Sequence, residues 1–190
     1  MEAFTPYLVD ILAPLTLVLL GASLVLLGMF LKSFVCHEPQ SGVLQWVARR
    51  SLLLMFVVSV GAMLGSLFFS EIALWTPCKY CWYQRIFLYP QVFLLGLSLW
   101  KNDRGIASYI LLLSIVGILF SVVHYIEQFQ SLLRPELFDP TIPCDLTGVS
   151  CRATEILYYG FVTIPLMAMA PFFMNIIVSL ITLRCDRRAT

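Results

Sequence analysis

Two close pairs of cysteines are the residues of this 190-residue chain best suited to redox chemistry. Cys78 and Cys81 form a Cys-Lys-Tyr-Cys motif that ends where an apolar run begins at Trp82. At the start of a helix, backbone N–H groups and the helix dipole stabilise a thiolate, and a stabilised thiolate exchanges disulfides readily. The motif therefore indicates a redox-active pair, although the same spacing also occurs in zinc sites and in static disulfides.

Cys144 and Cys151 form the second pair, in a segment that is rich in proline and glycine. Only six residues separate them, so a bond between them would close a short loop. A zinc ion bound by the thiolates of both pairs is a chemically sensible alternative. Two purely structural disulfides are another.

The composition of the whole chain is that of a membrane protein. Hydrophobic residues make up 60% of it and charged residues 12%, whereas soluble domains are about 45–50% apolar and about 25% charged. The net charge is only +1, which indicates neither a basic surface for nucleic acid nor an acidic tail. This composition excludes a soluble globular monomer and makes the lipid bilayer the main solvent of the chain.

Five apolar stretches approach or reach the roughly 20 residues that a helix needs to cross a bilayer. They predict transmembrane helices at residues 8–31, 51–70, 83–100, 106–126 and 157–183. The first lacks the basic leader and the cleavage pattern of a signal peptide, so we interpret it as a retained helix. The predicted fold class is an all-α membrane protein, a four-helix transmembrane bundle with one additional N-terminal transmembrane helix. The predicted divisions are the additional helix with a cytoplasmic loop (1–50), the bundle (51–183) and a cytoplasmic tail (184–190).

The distribution of Lys and Arg predicts the orientation, because positively charged loops stay in the cytoplasm. Eight of these residues fall on one side of the predicted helices and four on the other. This places the N-terminus outside, the C-terminus inside, and the loops at 71–82 and 127–156 outside. Both cysteine pairs then lie in an oxidising compartment, whereas Cys36 and Cys185 lie inside and are expected to be reduced thiols. Two outer pairs suggest a relay from a soluble thiol protein to an electron acceptor in the bilayer.

Small and aromatic residues in and beside the spans predict structural roles. Small residues at helical spacing favour close helix packing and occur at Gly61 and Gly65 and at Ser114, Gly117 and Ser121. Aromatic residues with the character of a membrane-interface belt occur at Trp75, Trp82, Tyr83 and Tyr89.

The stretch Pro-Cys-Lys-Tyr-Cys-Trp-Tyr-Gln-Arg at 77–85, continuing to Tyr89-Pro90, resembles the DsbB family of quinone-dependent thiol oxidases. It is similar to the first outer loop and second core helix of that family. A Cys-x-x-Cys motif followed by Trp-Tyr-Gln-Arg is more specific than Cys-x-x-Cys alone, and a second cysteine pair follows in the expected order. The likeness covers roughly 51–183 and implies a four-helix bundle with both loops outside.

The resemblance implies a role for each cysteine pair. Cys144 and Cys151 would exchange disulfides with a soluble, extracytoplasmic thioredoxin-fold thiol oxidase of the DsbA type. Cys78 and Cys81 would pass electrons to a bound quinone, either ubiquinone or menaquinone. Cys81 would make the thiolate contact with that quinone.

Three further residues are expected at the quinone by the same resemblance. Arg85, one helical turn beyond Cys81, would hold a quinone carbonyl and stabilise the negative charge that grows during reduction. His124, in His-Tyr-Ile-Glu-Gln, resembles a family histidine near the quinone, and it fits equally well a histidine that anchors a helix end. Gln84 would reach the quinone or, as is commoner for such a residue, bond to a neighbouring helix.

Two features depart from the family pattern. The first span, 8–31, is additional to the four-helix core and would either dock another membrane protein or serve as an anchor without chemistry. The short spacing from Cys144 to Cys151 resembles the compact loop of some Gram-positive-type and specialised homologues. It restricts how far Cys144 can swing toward Cys81.

The sequence therefore predicts a membrane thiol oxidase in the bacterial cytoplasmic (inner) membrane, which reoxidises a soluble partner and reduces quinone from the membrane pool. A second enzyme hypothesis is a thiol oxidase dedicated to a single substrate. The alternative from a different class is a non-catalytic membrane scaffold, with static disulfides or a zinc site of four cysteines.

Overall fold

The structure is a computed structural model that describes residues 5–35, 41–146 and 148–189, and its regular structure is helical. The helices are α1 (Thr5–Val35), α2 (Gly42–Arg49), α3 (Ser51–Leu67), α4 (Lys79–Lys101), α5 (Ala107–Leu133) and α6 (Ile164–Ala189). A π-helical turn, Phe68–Ile72, continues α3, and a 3-10 turn, Arg104–Ile106, precedes α5. Within the described ranges the extended pairing is one isolated bridge, between Tyr158 and Val162. The predicted all-α membrane fold is confirmed.

Among the described residues, four helices are long and apolar enough to cross a membrane. They are Val9–Ser33, Ser51–Ile72, Arg104–Leu133 and Ile164–Arg187. The remaining predicted span, 83–100, lies in α4, whose 23 residues extend about 34 Å but include more polar side chains. Two of these, Gln84 and Gln91, are buried inside the bundle. The chain is therefore a multi-pass membrane protein, and α4 is the most polar of its five long helices.

Several predicted boundaries shift in the structure. Helix α5 continues to Leu133, beyond the predicted end at 126. The predicted start of the last span at residue 157 was wrong, because α6 begins at Ile164. The apolar residues before it form a tight turn in which Tyr159 and Gly160 have positive φ angles of 52° and 78°. Hydropathy alone does not distinguish such a turn from a helix.

Consecutive long helices run antiparallel, so both cysteine loops lie at one end of the bundle, called here the cysteine end. The start of α1 lies there too, since Tyr158 Oη donates a hydrogen bond to Asp10 Oδ1 at 2.8 Å. At the opposite end, Arg184 Nη2 donates to the Ser33 carbonyl oxygen at 2.8 Å. Helix α1 thus packs along the bundle over its length, and the divisions predicted at residues 50 and 183 stay predictions.

The core is apolar toward the opposite end and polar in the middle. The apolar cluster includes Leu44, Met55, Leu95, Ile110, Val178 and Ile181. In the middle, Asn175 Nδ2 donates to Ser59 Oγ at 2.9 Å and to Gln91 Oε1 at 2.8 Å. These buried hydrogen bonds join α6 to α3 and α4. They matter because the hydrophobic effect contributes little to the association of helices in lipid.

One face of α5 carries a buried stripe of small and polar residues. It contains Ser114, Gly117, Ser121, His124, Gln128 and Ser131. A Cβ atom at Gly117 would collide with the ring of Phe172 on α6, so the close packing predicted for this span is confirmed. The same prediction was wrong for Gly61 on α3, because a Cβ atom there would meet nothing within 4 Å.

The two remaining cysteines belong to the opposite end by sequence. Cys185, near the end of α6, is partly buried against the apolar cluster. Cys36, which was predicted to be a reduced thiol, lies outside the described residues.

Candidate active site

The first cysteine pair lies at the N-terminus of α4. Cys78 is the residue that precedes the helix, in an extended conformation, and Cys81 lies in the first turn. The first turn of a helix has backbone N–H groups without intrahelical partners, and these groups favour negative charge nearby. The two Sγ atoms are 3.1 Å apart and interact as a dithiol, with Cys78 buried. The expectation of a thiol pair at a helix start is met.

His124 reaches this pair from the buried stripe of α5. Its Nε2 atom lies 3.6 Å from Cys78 Sγ, and its Nδ1 atom lies 3.3 Å from Gln84 Nε2. With the Gln84 amide donating to Nδ1, the imidazole hydrogen is on Nε2 and points at the Cys78 sulfur. Gln84 therefore orients His124, and His124 in turn contacts the cysteine pair at Cys78.

The Cys78 thiol, which lies before the first residue of α4, is easily ionised. The hydrogen bond from Cys81 is the largest cause, burial opposes it, and the contact with His124 adds to it. Together they lower the pKa of Cys78 from 9.0 to about 4. The resemblance implied a thiolate at Cys81 in contact with quinone. The structure stabilises the thiolate at Cys78, and the role of Cys81 stays a prediction.

Arg85 is held in place by Ser66 of α3. Its Nε atom donates to Ser66 Oγ at 2.9 Å, and its Nη2 atom donates to the Ser66 carbonyl oxygen at 2.9 Å. Tyr89 Oη donates to the same Ser66 Oγ at 3.2 Å. Two bonds to one residue fix the guanidinium plane, so Arg85 can present a preorganised charge to a ligand.

A cavity of about 570 Å³ opens beside the cysteine pair. Its polar lining includes Cys78, Cys81, Gln84, Arg85 and His124. The rest of its wall is mainly apolar and is formed by residues of α1, α3 and α6, together with residues of α5 and of the loops before α4 and α6 that include the polar side chains Gln128 and Glu155. Ligand pockets of roughly 300–1,000 Å³ with a few convergent polar groups are typical of sites for small organic molecules. One cavity thus gathers the first pair with all three residues expected at a cofactor.

The second pair, Cys144 and Cys151, is bonded as a disulfide in the loop between α5 and α6. Gln128 Nε2 on α5 donates to the Ala153 carbonyl oxygen at 2.8 Å and so anchors this loop. Val149, between the two cysteines, lines the same cavity as the first pair. The structure therefore makes the disulfide loop part of the wall of the cavity that the dithiol also lines.

Comparison with known proteins identifies the family. Residues 48–183 match the family described as "Disulfide bond formation protein DsbB", which is more than half of the chain. The chain belongs to the DsbB family.

Three curated relatives of this DsbB-family chain come from bacteria. Disulfide bond formation protein C of Bacillus subtilis is 42% identical over 122 residues, 64% of this chain and 84% of that protein. Probable disulfide formation protein C of Halalkalibacterium halodurans is 41% identical over 129 residues, 68% and 90% of the two chains. Probable disulfide formation protein of Oceanobacillus iheyensis is 36% identical over 137 residues, 72% and 91% of the two chains. No solved structure matches the chain.

Membership of the DsbB family supports the coarse function predicted from the cysteine pairs. The protein is a membrane oxidoreductase of disulfide bond formation, and this activity implies a partner that carries thiols. The predicted resemblance to the DsbB family is confirmed.

Metal binding in this DsbB-family site is limited to three ligands among the described residues. The ligand atoms of Cys78, Cys81 and His124 lie within 4.8 Å of one another, and such a set suits a thiophilic ion. The alternative of one zinc ion on four cysteines does not match this arrangement. Cys144 and Cys151 are bonded to each other and offer no thiolates.

Several residues that shape the site were missed by sequence reasoning. Gln128 lies one helical turn after His124, so extending the α5 stripe by four residues would have found it. Ser66 carries no such signal, because a serine in a membrane helix most often bonds to its own backbone. Tyr80 Oη donates to Glu127 Oε1 at 3.0 Å and places its ring beside the His124 ring. Trp75, predicted as a belt residue, also lines the cavity.

Proposed function

We propose that this protein oxidises a soluble, extracytoplasmic thiol protein of the thioredoxin fold and passes the electrons to quinone in the bacterial cytoplasmic membrane. The observation that carries the proposal is the single cavity that joins a dithiol, a fixed Arg85 and a buried His124 to an apolar extension. The excess of Lys and Arg on one side supports an orientation with the N-terminus and the cysteine end outside and the C-terminus inside.

The reaction begins at the exposed loop. A thiolate of the partner attacks the Cys144–Cys151 disulfide, forms a mixed disulfide and releases one of these cysteines as a thiolate. The second thiol of the partner then attacks the mixed disulfide. The partner leaves oxidised, with a new disulfide, and Cys144 and Cys151 are both reduced.

The reduced loop pair next transfers its electrons to the first pair. One thiolate of the loop attacks an oxidised Cys78–Cys81 disulfide, and the second resolves the mixed disulfide, so Cys144 and Cys151 are bonded again. Cys78 and Cys81 become the dithiol. The low pKa of Cys78 supplies a thiolate at neutral pH for the following oxidation.

The residues of the cavity fit a quinone headgroup. A bound quinone would accept two electrons and two protons as the Cys78–Cys81 disulfide forms. Arg85, fixed by Ser66, would hold a carbonyl oxygen and stabilise its developing negative charge without reorganisation. His124 would hold a proton on Nε2, and Gln84 would keep the imidazole in that tautomer. Cys81 is expected to be the sulfur nearest the quinone.

A reconstituted reaction tests this proposal. The protein is purified with native lipids, a reduced thioredoxin-fold partner is added with or without quinone, and quinone absorbance and cysteine alkylation are followed together. We expect one quinone to be reduced for each partner oxidised, and Cys78→Ser and Cys144→Ser to stop both. Cysteines whose oxidation state ignores quinone, or zinc that is released by a chelator, would instead support a scaffold.

A further inference from the structure

Helix α1 lies outside the part of the chain that matches the DsbB family, yet it lines the cavity. It ends at Val35, and the match begins at residue 48. Leu12, Leu15 and Leu19 of α1 nevertheless form part of the cavity wall. The candidate active site of this chain therefore has a side wall that the matched segment does not contain.

The facing wall is α3, and it leaves open space opposite α1. Val57, Gly61 and Gly65 line the same cavity. A Cβ atom at Gly61 would meet nothing within 4 Å, and one at Gly65 would meet only Leu12 Cδ1 at 3.7 Å. These residues define an apolar groove between α1 and α3, to which residues of α6 also contribute.

The groove is continuous with the polar part of the cavity. Ser66, which holds Arg85, follows Gly65 directly, and the α3 wall extends from there to Val57, a distance of about 13 Å along the helix. Among the described residues of α1 that line the cavity, Thr16 has a hydroxyl, and this hydroxyl is already used because it donates to the Leu12 carbonyl oxygen at 2.8 Å. The groove thus offers a long apolar surface that begins at a cationic side chain.

Helix α1 is also fixed at the cysteine end. Val9 packs in a small buried cluster with Phe69 of α3's π-helical turn and Ile156 of the disulfide loop. The hydrogen bond between Tyr158 and Asp10 joins α1 to the turn before α6. Contacts with the π-helical turn after α3 and with the loop before α6 favour a defined position for α1 in the bundle.

We propose that α1 and α3 form the binding groove for the isoprenoid tail of the quinone, with the headgroup at Arg85. This inference rests on the proposed function and assigns α1 a role in the affinity for the cofactor. A tail is linear and apolar and is joined to a polar ring, which is the shape and polarity of this cavity. Tail length should accordingly influence binding through Gly61 and Leu19, which lie away from the cysteines.

Filling the groove tests the inference. Gly61→Leu puts a side chain into the space between α1 and α3, and Gly28→Leu is the matched control, because a Cβ at Gly28 also meets nothing within 4 Å but Gly28 does not line the cavity. Turnover is measured in proteoliposomes with one quinone headgroup that carries either one isoprenoid unit or several, and the Kd of each quinone is measured separately from the quenching of tryptophan fluorescence, since Trp75 lines the cavity. We expect Gly61→Leu to raise both the Kd and the KM for the long-tailed quinone about tenfold, as if about two methylene groups lost their contacts. The short-tailed quinone should change less than about twofold, and Gly28→Leu should change neither.

Each outcome separates the two proposals. If the unchanged protein reduces neither quinone, the proposed function fails and the inference falls with it. If the unchanged protein reduces both and Gly61→Leu affects both equally or neither, only the tail groove is overturned. Should Gly61→Leu not fold, as judged by gel filtration and thermal unfolding, Leu19→Trp narrows the groove from α1 and must show the same dependence on tail length.

Discussion

The two cysteine pairs have the same chemistry and opposite settings. Cys78 and Cys81 lie at the start of a helix, with His124 against one sulfur and the cavity beside both. Cys144 and Cys151 close a short loop outside any helix, and that loop is tied to the bundle by Gln128. Under the proposed function, a rigid helix suits a pair that meets a ligand in fixed geometry, whereas a loop suits a pair that meets another protein and then the first pair. The difference indicates that the reactivity of each cysteine pair depends on the structure around it.

The largest expected effect is the loss of turnover when a cysteine is replaced, and the two pairs should differ in which reductant can still drive the reaction. Cys78→Ser and Cys144→Ser should each reduce partner-driven turnover by about a thousandfold or more, because each removes a sulfur that the proposed relay requires. A small dithiol such as dithiothreitol, given in place of the partner, should still drive quinone reduction in Cys144→Ser and fail in Cys78→Ser. Quinone absorbance measures both rates. Equal loss with the small dithiol would contradict the separate roles of the pairs.

Arg85 should matter only for the half of the relay that involves quinone. Arg85→Gln removes a charge and the fixed donors, and a hydrogen bond to a charged group contributes about 1.5–3 kcal/mol, so kcat/KM for quinone should fall about 10–100-fold. Arg85→Lys keeps the charge but loses the two bonds to Ser66, so it should restore this value only in part. Stopped-flow reduction of the loop disulfide by the partner is the control, and it should be unchanged in both variants.

The Cys78 thiol of the first pair should also react over a wider pH range than an ordinary thiol. Because the pKa of Cys78 is lowered to about 4, its thiolate persists as pH falls, and its iodoacetamide alkylation should change little between pH 8 and pH 5. Ordinary thiols lose about tenfold in rate per pH unit over that range. Mass spectrometry of the reduced protein reports both pairs.

Removing the main cause of the low pKa of Cys78 should make the pH dependence of its alkylation more like that of an ordinary thiol. Cys81→Ala removes the hydrogen bond to Cys78, so the midpoint of the alkylation profile should rise by about one pH unit or more. His124→Ala should raise it less. A profile that ignores both substitutions would mean that these contacts do not set the reactivity of Cys78.

The smallest expected effect concerns the link between the pairs. Gln128→Ala removes the hydrogen bond that holds Ala153, and a typical buried hydrogen bond contributes about 0.5–1.5 kcal/mol. Electron transfer from the loop pair to the first pair should slow by about threefold to tenfold in rapid-quench alkylation. Gln128 also lines the cavity, but its amide is bonded to the loop, so quinone reduction driven by a small dithiol should stay within about twofold. An equal loss there would show that Gln128 acts mainly through the cavity.

Much of this protein is predictable from local pattern alone. Apolar runs of about 20 residues require helices in lipid, because the backbone has no water there to bond, and this predicted the long helices to within several residues. The Cys-Lys-Tyr-Cys motif at a helix start and the downstream Trp-Tyr-Gln-Arg were sufficient to predict the family and the residues gathered in the cavity. Such features depend on neighbours in the chain, which the sequence displays directly.

The contacts between helices needed the tertiary structure. His124 meets Cys78 across 46 residues, and Arg85 is held by Ser66 because α3 and α4 are rotated to face each other there. Gly61 and Gly117 look alike in sequence, yet one borders a cavity and the other lies against Phe172. A run of apolar residues predicts a transmembrane helix but barely constrains how that helix is rotated about its axis, since the lipid and the interior of the bundle are both largely apolar. Packing and a few buried hydrogen bonds therefore decided which residues face the cavity, and placed α1 in its wall.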